Sequence, residues 1–364
     1  MKIQQLIQYI EQIAPPAYQE SYDNSGLIVG DSDATIQGVI ICLDSVEAVI
    51  DEAIEKNCNL VIAHHPIVFG GLKRFNGKNY IERVVMKAIK NDIAIYACHT
   101  NLDNIQAGVN GKIADKLGLT NTQILAPKSK IIKKLSVYVP VNDVEKVSNA
   151  LFAAGAGRIG NYDEASFNVV GTGTFRANEH ATPHVGEAGK RHHETEAKVE
   201  VIFPFDKQGK VISAMWNAHP YEEVAYDVVT LDNQHQGIGA GMIGELPSSM
   251  DEMSFLKYLK ENMQTDCVRY TNLLHKPVKR VAVCGGSGQF LLQNAIRQKA
   301  DVFITADFKY HQFFDADEHI VIADIGHFES EQFTIELFYE LITNKFDTFA
   351  VYQTSIHTNP INYL

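Results

Sequence analysis

Two stretches of this chain spell out the same order of elements, and that repeat restricts the fold more than any other feature. Residues 38 to 66 run GVIICLD, SVEAVIDEAIEKN and NLVIAHHP: an apolar run, a segment with apolar positions three or four apart, and a second apolar run. These periods predict a buried strand, a helix and another buried strand. A further helical segment, YIERVVMKAIKND, leads into IAIYACHTNLD at residues 93 to 103. Towards the other end KRVAVCGGSG, QFLLQNAIRQKA, DVFITADFKYH and HIVIADIGHFESE follow in the same order. Alternating strands and helices predict an α/β fold, here an internally duplicated core whose sheets are flanked by helices.

Residues 127 to 235 break the pattern. KKLSVYVP reads as a strand, VNDVEKVSNALFAAG as a helix, FNVVGTGTFR and TEAKVEVIFPF as a strand pair, KVISAMWNAHPY as a helix and VAYDVVTL as a last strand. That βαββαβ order is the ferredoxin-like arrangement. At 364 residues the chain exceeds one ordinary core. The expected domains are therefore a discontinuous core, 1–126 with 236–364, and an inserted ferredoxin-like domain, 127–235. Trp216, at apolar helical spacing in the insert, is expected in its core.

Composition limits the function classes. The chain is 45% hydrophobic and 21% charged, enough apolar material for a core without metal or disulfide staples, so a bound metal would be functional rather than structural. The five cysteines are widely spaced, mostly inside apolar runs, and read as reduced thiols. MKIQQLIQYIEQIAPP predicts an amphipathic helix through Ile3, Leu6, Ile7, Ile10 and Ile13 rather than a signal peptide, and no segment approaches the roughly 18 apolar residues of a membrane span. A cytoplasmic protein is expected. A net charge of −12 argues against a nucleic-acid partner, because affinity for a phosphate backbone comes largely from Lys and Arg, but it leaves a small phosphorylated substrate open.

Polar groups gather where the predicted strands end, the edge at which open α/β sheets bind ligands. The third strand of each copy ends in a histidine followed four residues later by a carboxylate, His99 with Asp103 and His327 with Glu331; the second ends in His64 and His65 in one copy and in Asp307 in the other. Neighbouring residues of a strand face opposite ways, so His64 and His65 would serve two ions rather than chelate one. Pro66 lacks a ladder N–H and supports an end to the strand there. Imidazole and carboxylate together suit a pair of divalent transition metals. The plain alternative is a pair of hydrogen-bonded loop histidines.

The motifs HHP at 64 to 66, HTNLD at 99 to 103 and GHFESE at 326 to 331 resemble the Nif-three-like family, whose members are often labelled GTP cyclohydrolase I type 2 homologues. DNSGLIVGD at 23 to 31, VCGGSG, TADFKYH and HTNPINYL are similar to other blocks of that family, so the resemblance covers nearly the whole chain. GAGRIGNYDEASF, GTGTFR and HPYEEVAYDV in the insert resemble the PII and CutA proteins. The resemblance implies that His64, His65, Asp103, His327 and Glu331 are metal ligands, with Glu331 bridging, and that the protein forms a ring-shaped homohexamer. One departure is Ala306, where the family usually has glycine; it removes no ligand.

Around these residues several roles stay open. His99 is either an acid/base or a hydrogen-bond partner of Asp103. Asp307 and His311 either approach a substrate or, respectively, cap a helix and pack at the surface. Asp44 and Ser45 read equally as a cap and as a substrate contact. The CGGSG loop reads as a tight turn rather than a phosphate loop, since it lacks the P-loop lysine. His180, His184, His192 and His193 are expected in a solvated loop, and His219 to Glu222 either bind a ligand or pack. The function expected is a metal-dependent hydrolase with two divalent ions (Zn, Fe or Mn; Ni also suits the donors), acting on a small-molecule substrate, a nucleotide or other phosphorylated compound. His99 would relay a proton there, and Asp307 or His311 would orient the substrate. The alternative is a non-catalytic regulator whose insert senses a small ligand.

Overall fold

The computed structural model describes residues 1–364. The chain packs as two compact units, Met1–Pro127 with Gly237–Leu364, and Lys128–Gln236.

The larger unit contains both copies of the repeat. In one sheet the strands lie in the order Gly26–Val29, Ala94–Ala97, Leu60–His65, Gly38–Asp44, Ala350–Gln353. Its last four run parallel and Gly26–Val29 is antiparallel. The other sheet is ordered Arg269–Tyr270, Val321–Asp324, Val302–Ala306, Val278–Ser287, Gln234–Met250, Thr120–Ser129. Val278–Ser287, Val302–Ala306 and Val321–Asp324 run parallel, with antiparallel neighbours on both sides. Gly38–Asp44, Leu60–His65, Ala94–Ala97, Val302–Ala306 and Val321–Asp324 are almost wholly buried, as strands covered on two faces must be. Ile40, Ile41, Val61 and Ile62 are fully buried, each contributing about 1.5–3 kcal/mol relative to an exposed side chain.

The helices Glu47–Glu55 and Tyr80–Lys90 turn Val49, Ile50, Ala53, Val84, Val85 and Ala88 onto the first sheet. Over the second lie the short helix Leu292–Arg297 and a 3-10 segment, Tyr310–Ala316. The amphipathic helix Ile3–Ile13 buries Ile3, Leu6, Ile7 and Ile10. All five cysteines are free; Cys267 is half-buried and the other four are buried. No helix is long and apolar enough to cross a membrane.

The smaller unit has the strand and helix order read from the sequence: Ile132–Pro140, Val144–Ala153, Phe167–Phe175, His192–Pro204, Gln208–Ala218, Tyr226–Leu231. Its sheet is ordered Phe167–Phe175, His192–Pro204, Ile132–Pro140, Tyr226–Leu231, antiparallel throughout. Val147, Leu151, Val211 and Met215 from the helices pack on Leu135, Val137, Val199 and Val201. Trp216 is not in this core: it is 55% exposed, edge-on to Tyr226 with the ring centroids 6.2 Å apart. The helix buries Val211, Met215 and Ala218, and Trp216 lies about 100° round the axis from Met215.

Candidate metal centre

His64 and His65 end the strand Leu60–His65 as expected. The strand Ala94–Ala97 is followed by His99 and the one-turn helix Thr100–Asp103, and Val321–Asp324 by the one-turn helix His327–Glu331. A spacing of four residues on a helical turn puts both side chains on one face, which is how each His-x-x-x-acid pair reaches the same end of its sheet.

Each histidine is fixed through Nδ1 by an acceptor that cannot donate. His64 donates to the Cys98 carbonyl at 3.0 Å, His65 to Asp44 at 2.8 Å, His99 to Asp23 at 2.8 Å and His327 to Asp307 at 2.7 Å. Such outer partners set the tautomer and leave Nε2 to face a metal. The Nε2 atoms of His65 and His327 lie 3.4 Å apart, and Glu331 Oε2 lies 3.0 Å from the first and 3.2 Å from the second. Donors bonded at about 2.0–2.1 Å to one tetrahedral ion would be spaced about 3.4 Å apart. On the other side, His64 Nε2 lies 3.6 Å from Asp103 Oδ1 and 3.8 Å from Glu331 Oε1. A ring nitrogen of His99 lies within 4.8 Å of those of His64 and His65.

Three buried atoms here, His64 Nε2, Asp103 Oδ1 and Glu331 Oε2, have no hydrogen-bond partner. An unsatisfied buried polar atom costs about 1–3 kcal/mol, so three at one point fit a cation among them. The residues form a His/Glu cluster able to hold a metal ion. The electrostatics agree. Burial pushes Asp103 up, the Glu331 charge adds to it, and the carboxyl reaches about 7. Burial alone would lower His65, but Asp44 and Glu331 outweigh it and raise the imidazole to about 10; burial likewise opposes the Glu331 charge and the Asp307 hydrogen bond at His327, which is raised to about 11. Glu331, despite burial, is held well below the usual carboxylate range by the charge of His327 and the other imidazoles crowded against it.

Several readings change. His99 bonds to Asp23 rather than Asp103. Asp307 bonds to His327, so it orients that imidazole. His311 is exposed, stacked near Phe314 and edge-on to Tyr310, and does not line the cavity at the cluster. Asp44 and Ser45 do not cap the following helix, whose N-cap is Val46; Asp44 holds His65. The CGGSG amides are engaged by side chains, Gly285 by Asn110 at 3.0 Å and Gly286 by Ser330 at 2.9 Å, which makes the loop a turn. Gly286 has φ +61, and a Cβ there would come to 2.4 Å of Glu331 Oε1. Only glycine allows this approach.

The sequence reading gave no role to Asp23, whose fully buried carboxylate also accepts from the Thr100 amide and hydroxyl, or to Thr358, which donates to Asp44 at 2.8 Å. Both lie in blocks, DNSGLIVGD and HTNPINYL, that were family-like without an evident chemistry. The cluster opens into a cavity of about 540 Å³ walled by Tyr22, Phe69, Phe290, Phe328 and Ile361, with no Lys or Arg. The rings of Tyr22 and Phe69 are stacked, 6.3 Å between centroids.

Known proteins agree with the architecture. The sequence profile of the family described as Duf34/NIF3 (NGG1p interacting factor 3) matches residues 1–360. The chain is 39% identical to the "GTP cyclohydrolase 1 type 2 homolog" of Halalkalibacterium halodurans, covering 99% of this chain and 98% of that protein. It is 38% identical to the Bacillus subtilis protein of the same name, over the same shares. Among solved structures, a Bacillus cereus protein related to NIF3 superposes with a TM-score of 0.86 at 38% identity, covering 100% of this chain and 99% of that one. A Staphylococcus aureus protein does so with a TM-score of 0.80 at 30% identity, over the same shares. A profile match over nearly all the residues, joined to whole-length relatives and a shared fold, establishes that this chain belongs to the Duf34/NIF3 family.

Proposed function

We propose that this protein is a cytoplasmic hydrolase that holds two divalent metal ions and acts on a small molecule, a nucleotide or related phosphorylated compound. The observation that carries this reading is the position of Glu331. Its Oε2 faces His65 and His327 while its Oε1 faces His64, with Asp103 beyond, so one carboxylate touches two groups of donors. Three imidazoles and two carboxylates suit Zn, Fe or Mn. Two such ions, when bound, supply a nucleophilic water at neutral pH and offset negative charge on the reacting group. His99, oriented by Asp23, is placed to carry a proton between the ligands and the cavity. Asp44 and Asp307 hold His65 and His327 in place. Because no Lys or Arg lines the cavity, a phosphate would be met by the ions, and a planar group would lie against Tyr22 and Phe69.

In this reading residues 1–126 and 236–364 form the metal-binding core, 127–235 form an inserted ferredoxin-like domain, and the chains assemble as a ring-shaped homohexamer. Light scattering checks the last point; a monomeric mass under native conditions contradicts it. The name of the relatives makes GTP the first substrate to try. The decisive test is metal content by elemental analysis on wild type and Glu331→Ala, followed by turnover of a panel of nucleotides and phosphate esters. About two ions per chain in wild type, lost with turnover in the variant, support the proposal. No uptake of Zn, Mn or Fe(II) by the wild type sinks it.

A second reading, a regulator without turnover, is favoured by one observation: Lys128–Gln236 has a cavity of its own, of about 270 Å³. Ligand-dependent thermal stability with no turnover on any substrate would select it.

A further inference from the structure

The cavity within Lys128–Gln236 lies on the face of its sheet away from the helices. Leu135, Val137, Val139, Val199 and Val201 pack against the helices, so Tyr138 and Glu196, of opposite parity, face the other way. Over that face run residues 176–184 and 221–225, joined where the Thr182 amide donates to Glu222 Oε1 at 2.8 Å. His219, buried, donates from Nε2 to the Tyr138 carbonyl at 2.9 Å and accepts at Nδ1 from the Tyr221 amide at 3.1 Å. It thereby fixes two walls of the cavity relative to each other.

The walls carry a definite chemistry. Phe175, Tyr138 and Tyr221 supply rings, with Phe175 and Tyr221 centroids 6.2 Å apart. Glu196, Glu222 and Glu223 line the cavity against one permanent cation, Arg176. The Glu196 carboxylate makes no ion pair, and the Tyr221 hydroxyl, buried beside it, makes no hydrogen bond of normal geometry. Gly173, in the GTGTFR motif, is what lets Glu196 sit here: a Cβ at that position would come to 1.9 Å of Glu196 Oε2. A carboxylate among aromatic faces attracts a cation and repels an anion. The volume is below the roughly 300–1,000 Å³ of cavities that take drug-sized ligands, so the occupant is small.

We propose that this cavity binds a small protonated amine, its ammonium held by Glu196 and the Tyr221 hydroxyl and its carbon skeleton lying against Phe175 and Tyr221. The proposal is independent of the metal centre and of any hydrolysis there.

The test is calorimetric titration of the full chain with 2-phenylethylamine, with 3-phenylpropionate as an anion of similar shape and 2-phenylethanol as a neutral one. Saturable binding of the amine alone is expected, weakened about tenfold or more by Glu196→Gln and a few-fold by Tyr221→Phe, as loss of a charge-assisted and of a neutral hydrogen bond should do. Glu331→Ala should leave the affinity unchanged, which separates this site from the metal centre. No saturable binding of the amine, equal binding of the propionate, or an affinity unaltered by both Glu196→Gln and Tyr221→Phe would overturn the proposal.

Discussion

The two copies of the repeat share a scaffold but divide the work differently. At the end of the second strand the first copy offers two imidazoles, His64 and His65, whereas the second offers Asp307, which only orients His327. After the third strand the roles are reversed: His327 and Glu331 both face the cluster, while in the first copy Asp103 does so and His99 is drawn to Asp23. The settings differ as well, with His64 fully buried and the His327 side chain 37% exposed. Duplication thus supplies two sheet edges of like geometry, and complementary substitution at matching positions turns them into one centre rather than two.

The largest effects should come from breaking that division. His64→Ala and His327→Ala should each cost one group of donors and leave metal bound by the other, whereas Glu331→Ala, which touches both, should remove nearly all; equal losses in the three variants by elemental analysis would show that the donors act as one group. Next come the orienting carboxylates. Asp44→Asn and Asp307→Asn should each weaken metal affinity about 10- to 100-fold while the chain stays folded, as competition with a chelator would measure. His64 has no comparable handle, because it leans on a backbone carbonyl.

Proton linkage sharpens the same contrast. With folded-state values of about 10 and 11, His65 and His327 are protonated at pH 7 without metal. Metal binding must expel those protons, so affinity should rise with pH from 7 towards 10, and calorimetry in buffers of different ionisation enthalpy should detect the release. Raised histidine values also mean that the metal-free fold binds more protons than the unfolded chain. Their contribution to stability is complete below the ordinary value of 6.5 and is lost as pH climbs through 10 to 11. Metal should flatten that decline in denaturant titrations.

Smaller effects test the supports. Gly286→Ala meets both a left-handed backbone and Glu331, and should cost about 1–2 kcal/mol with a measurable loss of metal affinity. Thr358→Val removes one hydrogen bond to Asp44 and should cost about 0.5–1.5 kcal/mol, read from the midpoint of chemical unfolding.

Much of this was legible in the sequence because it is local or periodic. Continuous apolar runs marked the parallel strands, and His-x-x-x-acid marked matching positions on two of them. What escaped was contact across long separations. Nothing local to Asp23 announces His99, 76 residues away, and nothing local to Thr358 announces Asp44, 314 away. Trp216 was misread because a large apolar residue beside a buried one looks internal until the helix is oriented. The partners of His99 and Asp307 were likewise hidden: Asp103, four residues on, is the nearest local partner for His99, and nothing local to Asp307 announces His327, 20 residues away.

The strand Ala350–Gln353 pairs with Gly38–Asp44, and Thr358 reaches Asp44 just beyond it. Seen along the time axis of synthesis, this ties residues made early to residues made late. Asp44, which braces His65, gains its own support only once Thr358 has been made, and Glu331 has by then been made as well. A growing chain therefore passes most of its elongation without a finished cluster, so capture of an ion there would be a late event rather than part of the folding of its early strands.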